Sequence, residues 1–424
     1  MEHVVIRKRS GKKMSEKKNS MQMIAGLDIG NGYVKGFAST DGNKGSGIDF
    51  LSGVALKTSD DDVKVKLSQA DYIVDDIFNE MAVTFDTPIV ESKTMRLFGL
   101  RAAVSGNSMD EFDVTSHQTK AHQELSSILV LGSIAGKALQ EYYGKYKSAP
   151  EDGIINVNAR IALALPISEY KTYRKEYAEK FKGVVHKVTI HNFDVPVTVC
   201  ITISDVQVMA EGASAQFAIT DKGVELMEMM LADLRSRGEK LEGVTASDIY
   251  NAKNTLGVDI GEGTVNFPVF QNGRFNPDAS VSFFKGYGTV LDAVRHRLAQ
   301  KNLVFASRKA LVESFLAGPM PTKPWQFNIM QEVLQSELEG FANEVQSEFR
   351  KILTKIGVFT EVIYVYGGGA NALKEYLYPK LIQVGKSVTP GGVGFPILYL
   401  DSAYSRYLNR EGLYSIAKRI AEME

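Results

Sequence analysis

The sequence predicts an α/β protein built from two related halves, and three observations carry that prediction. A chain of 424 residues is too long for one compact core, so two or three domains are expected. Strand-like and helix-like stretches alternate through the second half, as they do in an α/β domain. Gly26-Leu27-Asp28-Ile29-Gly30-Asn31-Gly32-Tyr33-Val34 and Gly257-Val258-Asp259-Ile260-Gly261-Glu262-Gly263-Thr264-Val265 share Gly, Asp, Ile, Gly, Gly and Val at identical offsets, which makes an internal repeat.

Residues 1–20 are polar and lysine-rich, with Arg7, Lys8, Arg9, Lys12, Lys13, Lys17 and Lys18 against Glu2 and Glu16, and read as a disordered basic tail. Met14, Met21 and Met23 are alternative starts, and a small basic contact surface is the functional reading of this run. From Met23 come short β-rich runs at 24–37, 47–56, 81–85 and 94–100. A helix is predicted over 122–143, where Leu125, Ile128, Leu129, Gly132, Ile134 and Leu139 recur at three-and-four spacing. Residues 154–165 form a buried strand ending at Pro166, after which Ser168 is expected to cap a charged helix over 169–182. Strands follow at 184–190 and 195–203, then an amphipathic helix at 224–238 and a polar linker. The second half starts over at Thr255 with an apolar strand and a hairpin, followed by helices over 289–301, 307–316 and 325–356 and a strand over 361–366.

Composition excludes several classes. Acidic and basic residues nearly cancel, with a net charge of −1, so no global field draws the chain to nucleic acid or an anionic membrane. Any connection to DNA is expected to be indirect. The single cysteine, Cys200, cannot form an internal disulfide or a thiolate metal site, which fits a reducing cytoplasm. No apolar stretch reaches the roughly 18 residues of a membrane helix, and no signal-peptide core precedes Met23. The expectation is a soluble cytoplasmic protein.

Each repeat reads as a strand, a tight turn (Asn31-Gly32 and Glu262-Gly263) and a second strand, a hairpin whose tip exposes backbone N–H groups to an anion such as phosphate. The glycines let the backbone approach phosphate oxygens without an intervening Cβ. Asp28 and Asp259 end their strands where two carboxylates can hold a hydrated Mg²⁺, an ion that keeps several waters. Lys35 breaks the symmetry, placing a point charge where the second copy has Asn266. Gly367-Gly368-Gly369, with Ala370 and Asn371, brings bare backbone and then a helix N-terminus to a ligand, and Gly286-Tyr287-Gly288 is a weaker candidate of the same kind. Glu211 follows a strand and precedes a small-residue helix start, where it either complements the helix dipole or serves chemistry.

These segments resemble the actin superfamily, and within it the bacterial plasmid-segregation actins of the ParM type. Asp28 to Lys35 looks like the first phosphate motif and Asp259 to Thr264 like the second. Val208-Met209-Ala210-Glu211-Gly212-Ala213-Ser214-Ala215 looks like the first interdomain connection, and Val362-Ile363-Tyr364-Val365-Tyr366-Gly367-Gly368-Gly369-Ala370-Asn371 like the adenosine motif. Leu163-Ala164-Leu165-Pro166-Ile167-Ser168-Glu169-Tyr170 is close to the strand-and-helix entry of ParM-like proteins. The resemblance implies an actin-like fold, duplicated ribonuclease-H-like domains with a nucleotide cleft between two lobes. Domain I would cover 21–210, with a small inserted subdomain at about 38–110 and a returning segment from about 395 to 424, and domain II would cover 211–394.

By the same resemblance, ATP or GTP with Mg²⁺ is the cofactor. Gly30, Asn31, Gly32, Tyr33, Lys35, Gly261, Glu262, Gly263, Thr264, Gly288, Gly367, Gly368, Gly369, Ala370 and Asn371 contact the nucleotide, Asp28 and Asp259 reach the metal through water, and Glu211 orients the attacking water. The implied function is a filament-forming ATPase that segregates plasmid DNA, with its own copies and a DNA-binding adaptor as partners and no membrane contact. The alternatives are an actin-like scaffold for cell shape or division and a superfamily small-molecule kinase. The match thins at the C-terminal connection, where the family has Asn and Gly before an aromatic, while Asp401-Ser402-Ala403-Tyr404-Ser405-Arg406-Tyr407 keeps only Ala403 and small residues at 402 and 405. His117 and His122, like His186 and His191, are five apart and on different faces, so no metal site is expected there. Met227-Glu228-Met229-Met230 reads as core or interface packing. Leu413, Ile416, Ala417 and Ile420 give one apolar face, read as a docked terminal helix rather than a membrane anchor.

Overall fold

The structure is a computed structural model that describes residues 20–58, 74–91, 93–112, 119–239, 241–400 and 402–423. The basic run at 1–19 and His117 lie outside the described residues. Two compact units divide the chain, Met1–Met209 with Arg410–Glu424, and Ala210–Asn409.

In the first unit, β1 (Ser20–Ile29), β2 (Tyr33–Thr40), β3 (Ser46–Leu51), β4 (Gly53–Leu56), β5 (Ala82–Asp86), β6 (Arg96–Phe98), β7 (Met109–Glu111), β8 (Ile154–Leu165), β9 (Val185–Ile190) and β10 (Val197–Ala210) form one sheet. Their order is β3-β2-β1-β8-β10-β9-β5-β6-β4-β7. Helix α1 (Glu124–Tyr146) packs on this sheet and is buried almost all round, as its run of Leu, Ile, Val, Gly and Ala dictates. The described strands within 38–110 do not form a separate sheet, because β5 pairs with β9 and carries β6, β4 and β7 onto the common one. Glycines in α1 make this possible. A Cβ on Gly136 would lie 2.8 Å from the Phe78 ring and one on Gly132 would overlap Phe98, so bare helix surface receives both rings. Phe50 stacks on Phe78 at 5.5 Å and ties β3 into the same cluster.

Helix α2 (Ile167–Glu179) begins two residues earlier than a Ser168 cap requires. Pro166 is its N-cap, and no side chain there bonds the helix N–H groups. Ser168 therefore sits inside the first turn, while the Glu169 carboxylate accepts from the backbone N–H groups of Lys120 and Ala121 at 3.0 and 3.1 Å. His186, fully buried, is hydrogen-bonded through its two ring nitrogens to Thr87 and the Phe181 carbonyl, and burial lowers its pKa. His191 meets Thr84 at 2.9 Å.

The second unit holds α3 (Ala215–Asp221), α4 (Gly223–Ser236), α5 (Ala246–Asn251), α6 (Tyr287–Ala299), α7 (Arg308–Ala317), α8 (Pro324–Ile356) and α9 (Ala370–Val388). Its sheet comprises β11 (Thr255–Ile260), β12 (Val265–Phe267), β13 (Val269–Gln271), β14 (Arg274–Phe275), β15 (Val281–Phe283), β16 (Val362–Tyr366) and β17 (Ile397–Tyr399). Strand β11 is buried along its whole length, antiparallel to β12 and β13 on one side and parallel to β16 on the other. The polar linker after α4 contains α5, which Thr245 and Asp248 start with a reciprocal capping box. On α4, Met227 and Met230 are buried and Met229 is exposed.

The return to the first unit starts later than 395. Ile397–Tyr399 pairs in parallel with β16 and so completes the second sheet, and the chain passes to the first unit at Arg410. Helix α10 (Leu408–Glu422) then lies on β1, with Leu413 and Ala417 fully buried. A Cβ on Gly26 would overlap the Tyr414 backbone, and the Tyr414 hydroxyl donates to Ser39 Oγ at 2.9 Å. The apolar face of α10 is thus covered by the protein's own sheet. No described helix is long and apolar enough to cross a membrane.

Candidate functional site

The two hairpins of the repeat close in the same way. Gly30 N–H donates to the Tyr33 carbonyl at 3.1 Å, and Gly261 N–H to the Thr264 carbonyl at 2.9 Å. Ile29 faces Val34 in the first and Ile260 faces Val265 in the second. A Cβ on Gly30 would lie 2.7 Å from the Tyr33 oxygen, so that turn needs glycine, and one on Gly261 would lie 3.1 Å from that of Thr264, a crowded position that favours it. The repeat extends to the acidic position: Asp28 stands opposite Lys35 on β2, and Asp259 stands opposite Asn266 on β12.

Beyond that register the hairpins differ. Lys35 lies between Asp28 and Asp49 on neighbouring strands, a cation in an acidic row. Asn266 is buried and neutral, donating to Thr264 Oγ1 at 3.3 Å and accepting from Ser282 at 2.6 Å. Gly32, at the first tip, is held by Ser52, whose N–H donates to its carbonyl at 3.0 Å. Even the shared glycine two residues before each Asp answers different neighbours, α10 at Gly26 and the Tyr366 hydroxyl at Gly257.

Within the second unit, three glycine turns meet. Tyr287 N–H donates to the Gly261 carbonyl and Gly288 N–H to that of Glu262, at 2.9 and 2.8 Å, so α6 starts against the hairpin tip. Gly367 has φ +106°, and a Cβ on it would lie 2.5 Å from the Ile260 oxygen and 2.6 Å from Asp259 Oδ1. Gly369 N–H donates to the Ile260 carbonyl at 2.9 Å, and a Cβ there would lie 2.6 Å from Tyr287 Cβ. Gly368 and Asn371 are exposed at the start of α9, while Ala370 is buried. The first N–H groups of α6 are thus taken up by the hairpin carbonyls, and the start of α9, exposed at Gly368 and Asn371, is the helix N-terminus beside the second hairpin that suits an anion.

Asp259 lies at the centre of this cluster with only 4 % of its surface exposed. Glu211 leads the turn after β10, and Gly212, with φ +79°, places its backbone so that a Cβ would lie 3.2 Å from Asp259 Oδ2. The Tyr366 hydroxyl donates to the Gly212 carbonyl at 2.8 Å, and burial, helped by the Asp259 charge, raises its pKa well above the ordinary phenol value. The structure thus brings Glu211, Asp259, Gly261 to Thr264, Gly288 and Gly367 to Ala370 into one neighbourhood of the second unit. Asp28, Gly30, Asn31, Gly32, Tyr33 and Lys35 form the matching hairpin of the first. Among the described residues, no group of three or more His, Cys, Asp or Glu gathers to ligate a metal directly.

Sequence reasoning missed two parts of this cluster. Arg308 donates to Glu262 Oε1 at 2.8 Å and to Asp292 Oδ1 at 2.9 Å, clamping the hairpin tip to α6. Its hydrogen bonds hold the Asp292 carboxyl below the usual range. No spacing marks Arg308, which follows the α7 cap Ser307. Asn409 is the other: its Nδ2 donates to Asp259 Oδ2 at 2.8 Å. Here a signal existed, because the Asn and Gly before an aromatic sought at 401–407 stand instead at Asn409, Gly412 and Tyr414.

The first unit also has an open cavity of about 640 Å³ walled by Asn43, Lys137 and Glu141, away from the hairpin tip. Its polar groups satisfy one another, with Lys137 Nζ 2.5 Å from Glu141 and Asn43 donating to Glu141 at 2.7 Å.

Two family profiles match the chain in sequence order. Actin-like proteins, N-terminal domain, covers residues 26–213, and archaeal actin homologue MreB-like, C-terminal, covers 257–378. Both halves of the chain thus match actin-like domains. Among solved structures, this actin-like chain is similar to ParM from Bacillus thuringiensis with ADP, at TM-score 0.61 and 14 % identity over 95 % of this chain and 99 % of that one. It is similar to the actin-like protein Alp7A, at 0.61 and 15 % over 95 % and 98 %. It is also similar to Ta0583, an archaeal actin homolog, at 0.60 and 16 % over 94 % and 99 %. None of the curated proteins matches it by sequence.

Proposed function

We propose that this actin-like protein binds ATP or GTP with Mg²⁺, hydrolyses it, and assembles into filaments that segregate plasmid DNA in the cytoplasm through a DNA-bound adaptor. The observation that carries the reading is the pair of hairpins closed in identical register, the second set in a glycine cradle around a buried aspartate. A side chain at Gly30 or Gly367 would collide with neighbouring backbone and one at Gly261 would be crowded, which supports a reading in which bare backbone turns meet the ligand. ParM of Bacillus thuringiensis, similar in fold, has been solved with ADP and with ATP.

On this reading the N–H groups of Gly30 and Gly261 close the two turns, and the tip N–H groups of 31–33 and 262–264, with Lys35, hold the phosphates. Gly288 and 367–371 line the nucleoside side, where α6 and α9 begin. Asp28 and Asp259 each carry a carboxylate to the hydrated ion. Bound Mg²⁺ supplies positive charge to the phosphate oxygens. Glu211, at the turn beside Asp259, orients the attacking water and accepts its proton. Interactions made only with the triphosphate favour the assembling conformation, and their loss on hydrolysis loosens the polymer.

Light scattering and pelleting of the purified protein with ATP, GTP, ADP and no nucleotide test this. Assembly with a triphosphate, followed by phosphate release, is the expected result. A protein that stays in the supernatant with every triphosphate, across salt and Mg²⁺, is no filament former, and transfer of phosphate to a small molecule instead would make it a kinase.

A further inference from the structure

The chain passes between the two units twice, after Met209 and after Asn409, and residues beside both passages are tied to Asp259. At the first, Gly212 packs against the Asp259 side chain, and its carbonyl is fixed by Tyr366. At the second, the Asn409 amide donates to Asp259 Oδ2 at 2.8 Å. Ser214 Oγ joins the two, donating to Asn409 Oδ1 at 3.2 Å. This network also settles which way the amide faces: a carboxylate only accepts, so Nδ2 turns to Asp259, leaving Oδ1 for the Ser214 hydroxyl.

We propose that Asn409 is a positioning residue that holds the Asp259 carboxylate in place for the Mg²⁺–nucleotide and passes its occupancy on to the chain passage at 409–410. The proposal rests on the nucleotide reading above. A hydrogen bond to a buried carboxylate is charge-assisted and strong. It also restricts the carboxylate to one orientation, leaving Oδ1, which lies against Gly367, as the edge turned to the glycine turn. When an ion draws on Asp259, the bond to Asn409 must readjust. The next peptide belongs to the first unit, so the readjustment is felt where the chain crosses.

Asn409→Asp keeps the size but replaces the donor with a carboxylate, and Asn409→Ala removes it. Binding of ADP to the full-length protein is measured by calorimetry in Mg²⁺ and in EDTA, with amide exchange followed over residues 408–414. Both variants are expected to weaken ADP binding about tenfold in Mg²⁺ while staying within about twofold of the parent in EDTA. The parent should change its exchange over 408–414 when ADP–Mg²⁺ binds, and Asn409→Ala should not. If either variant fails to fold, Ser214→Ala, which frees the far side of the Asn409 amide, should give a smaller loss with the same dependence on Mg²⁺. Equal losses in Mg²⁺ and EDTA would mean a general structural role, and unchanged binding in Mg²⁺ no role; either overturns the proposal. A parent protein that binds no nucleotide overturns the reading of the site itself, a separate outcome.

Discussion

Asn409, the last residue of the second unit, donates its side-chain amide to the Asp259 carboxylate at 2.8 Å. An aspartate near the end of the central strand β11 is thereby connected to a residue 150 positions later in the chain. Asp259→Ala removes both the carboxylate and the acceptor of that bond. The expected result is Mg²⁺–nucleotide binding weakened by at least about tenfold, with about 1–3 kcal/mol of stability lost from the unpaired Asn409 amide. Asp28→Ala should match the binding loss. Calorimetry with ADP–Mg²⁺ and thermal melts without ligand separate the two effects.

Glu211→Ala should assemble with ATP but release phosphate roughly 100-fold more slowly, because removal of a water-orienting base acts on the chemical step rather than on binding. Pelleting and phosphate release on the same sample provide the check. Turnover at the parent rate would show that another group positions the water.

Lys35 is the charge that distinguishes the first hairpin from the second. Lys35→Ala is expected to weaken nucleotide binding and to flatten its dependence on salt, since a point charge near phosphate is screened by ions. Asn266→Lys is not expected to compensate, because the Asn266 side chain is buried and bonded to Thr264 and Ser282. Affinity measured across a salt series reads both.

Gly367→Ala puts a methyl group at φ +106°, 2.6 Å from Asp259 Oδ1. The strain should cost about 2 kcal/mol, and relieving it would displace the carboxylate. A lowered melting temperature together with weak nucleotide binding is expected, whereas Gly340→Ala, in open space in the interior of α8, should leave nucleotide binding unchanged and raise stability by about 0.5–1 kcal/mol.

Arg308→Leu breaks the clamp between Glu262 and Asp292. The Asp292 carboxyl is held below its ordinary value in the folded protein, so its contribution to stability is full above the unfolded carboxylate range and fades as pH falls through the lowered pKa. The variant's deficit in melting temperature should therefore be present near neutrality and vanish in acid, once the pH has fallen below the lowered Asp292 pKa. Because Asp292 and Arg308 are more than a third exposed, the deficit is expected to stay below about 1 kcal/mol.

The local elements were legible because local chemistry dictates them. The strand at Ile154–Leu165 lies where its apolar run and Pro166 put it, and α8 ends at Ile356 as its periodicity requires. The same held for the repeat, since a tight turn closing on Gly30 or Gly261 is set by a few consecutive residues. Ser168 failed as a cap because Pro166 already fixes the chain entering α2. The boundary near 395 failed because strand pairing, which no local pattern encodes, places Ile397–Tyr399 beside β16.

By itself, then, the sequence determined the α/β class, the two Asp-Gly hairpins, the glycine turns and the resemblance to actins, all features written in short contiguous segments. Only the tertiary structure decided what surrounds Asp259. Gly212, Gly367 and Asn409 reach it from three distant parts of the chain, and Arg308 reaches the neighbouring tip from a fourth. Such contacts depend on the packing of β11 between β12 and β16, a long-range arrangement that leaves no spacing to read.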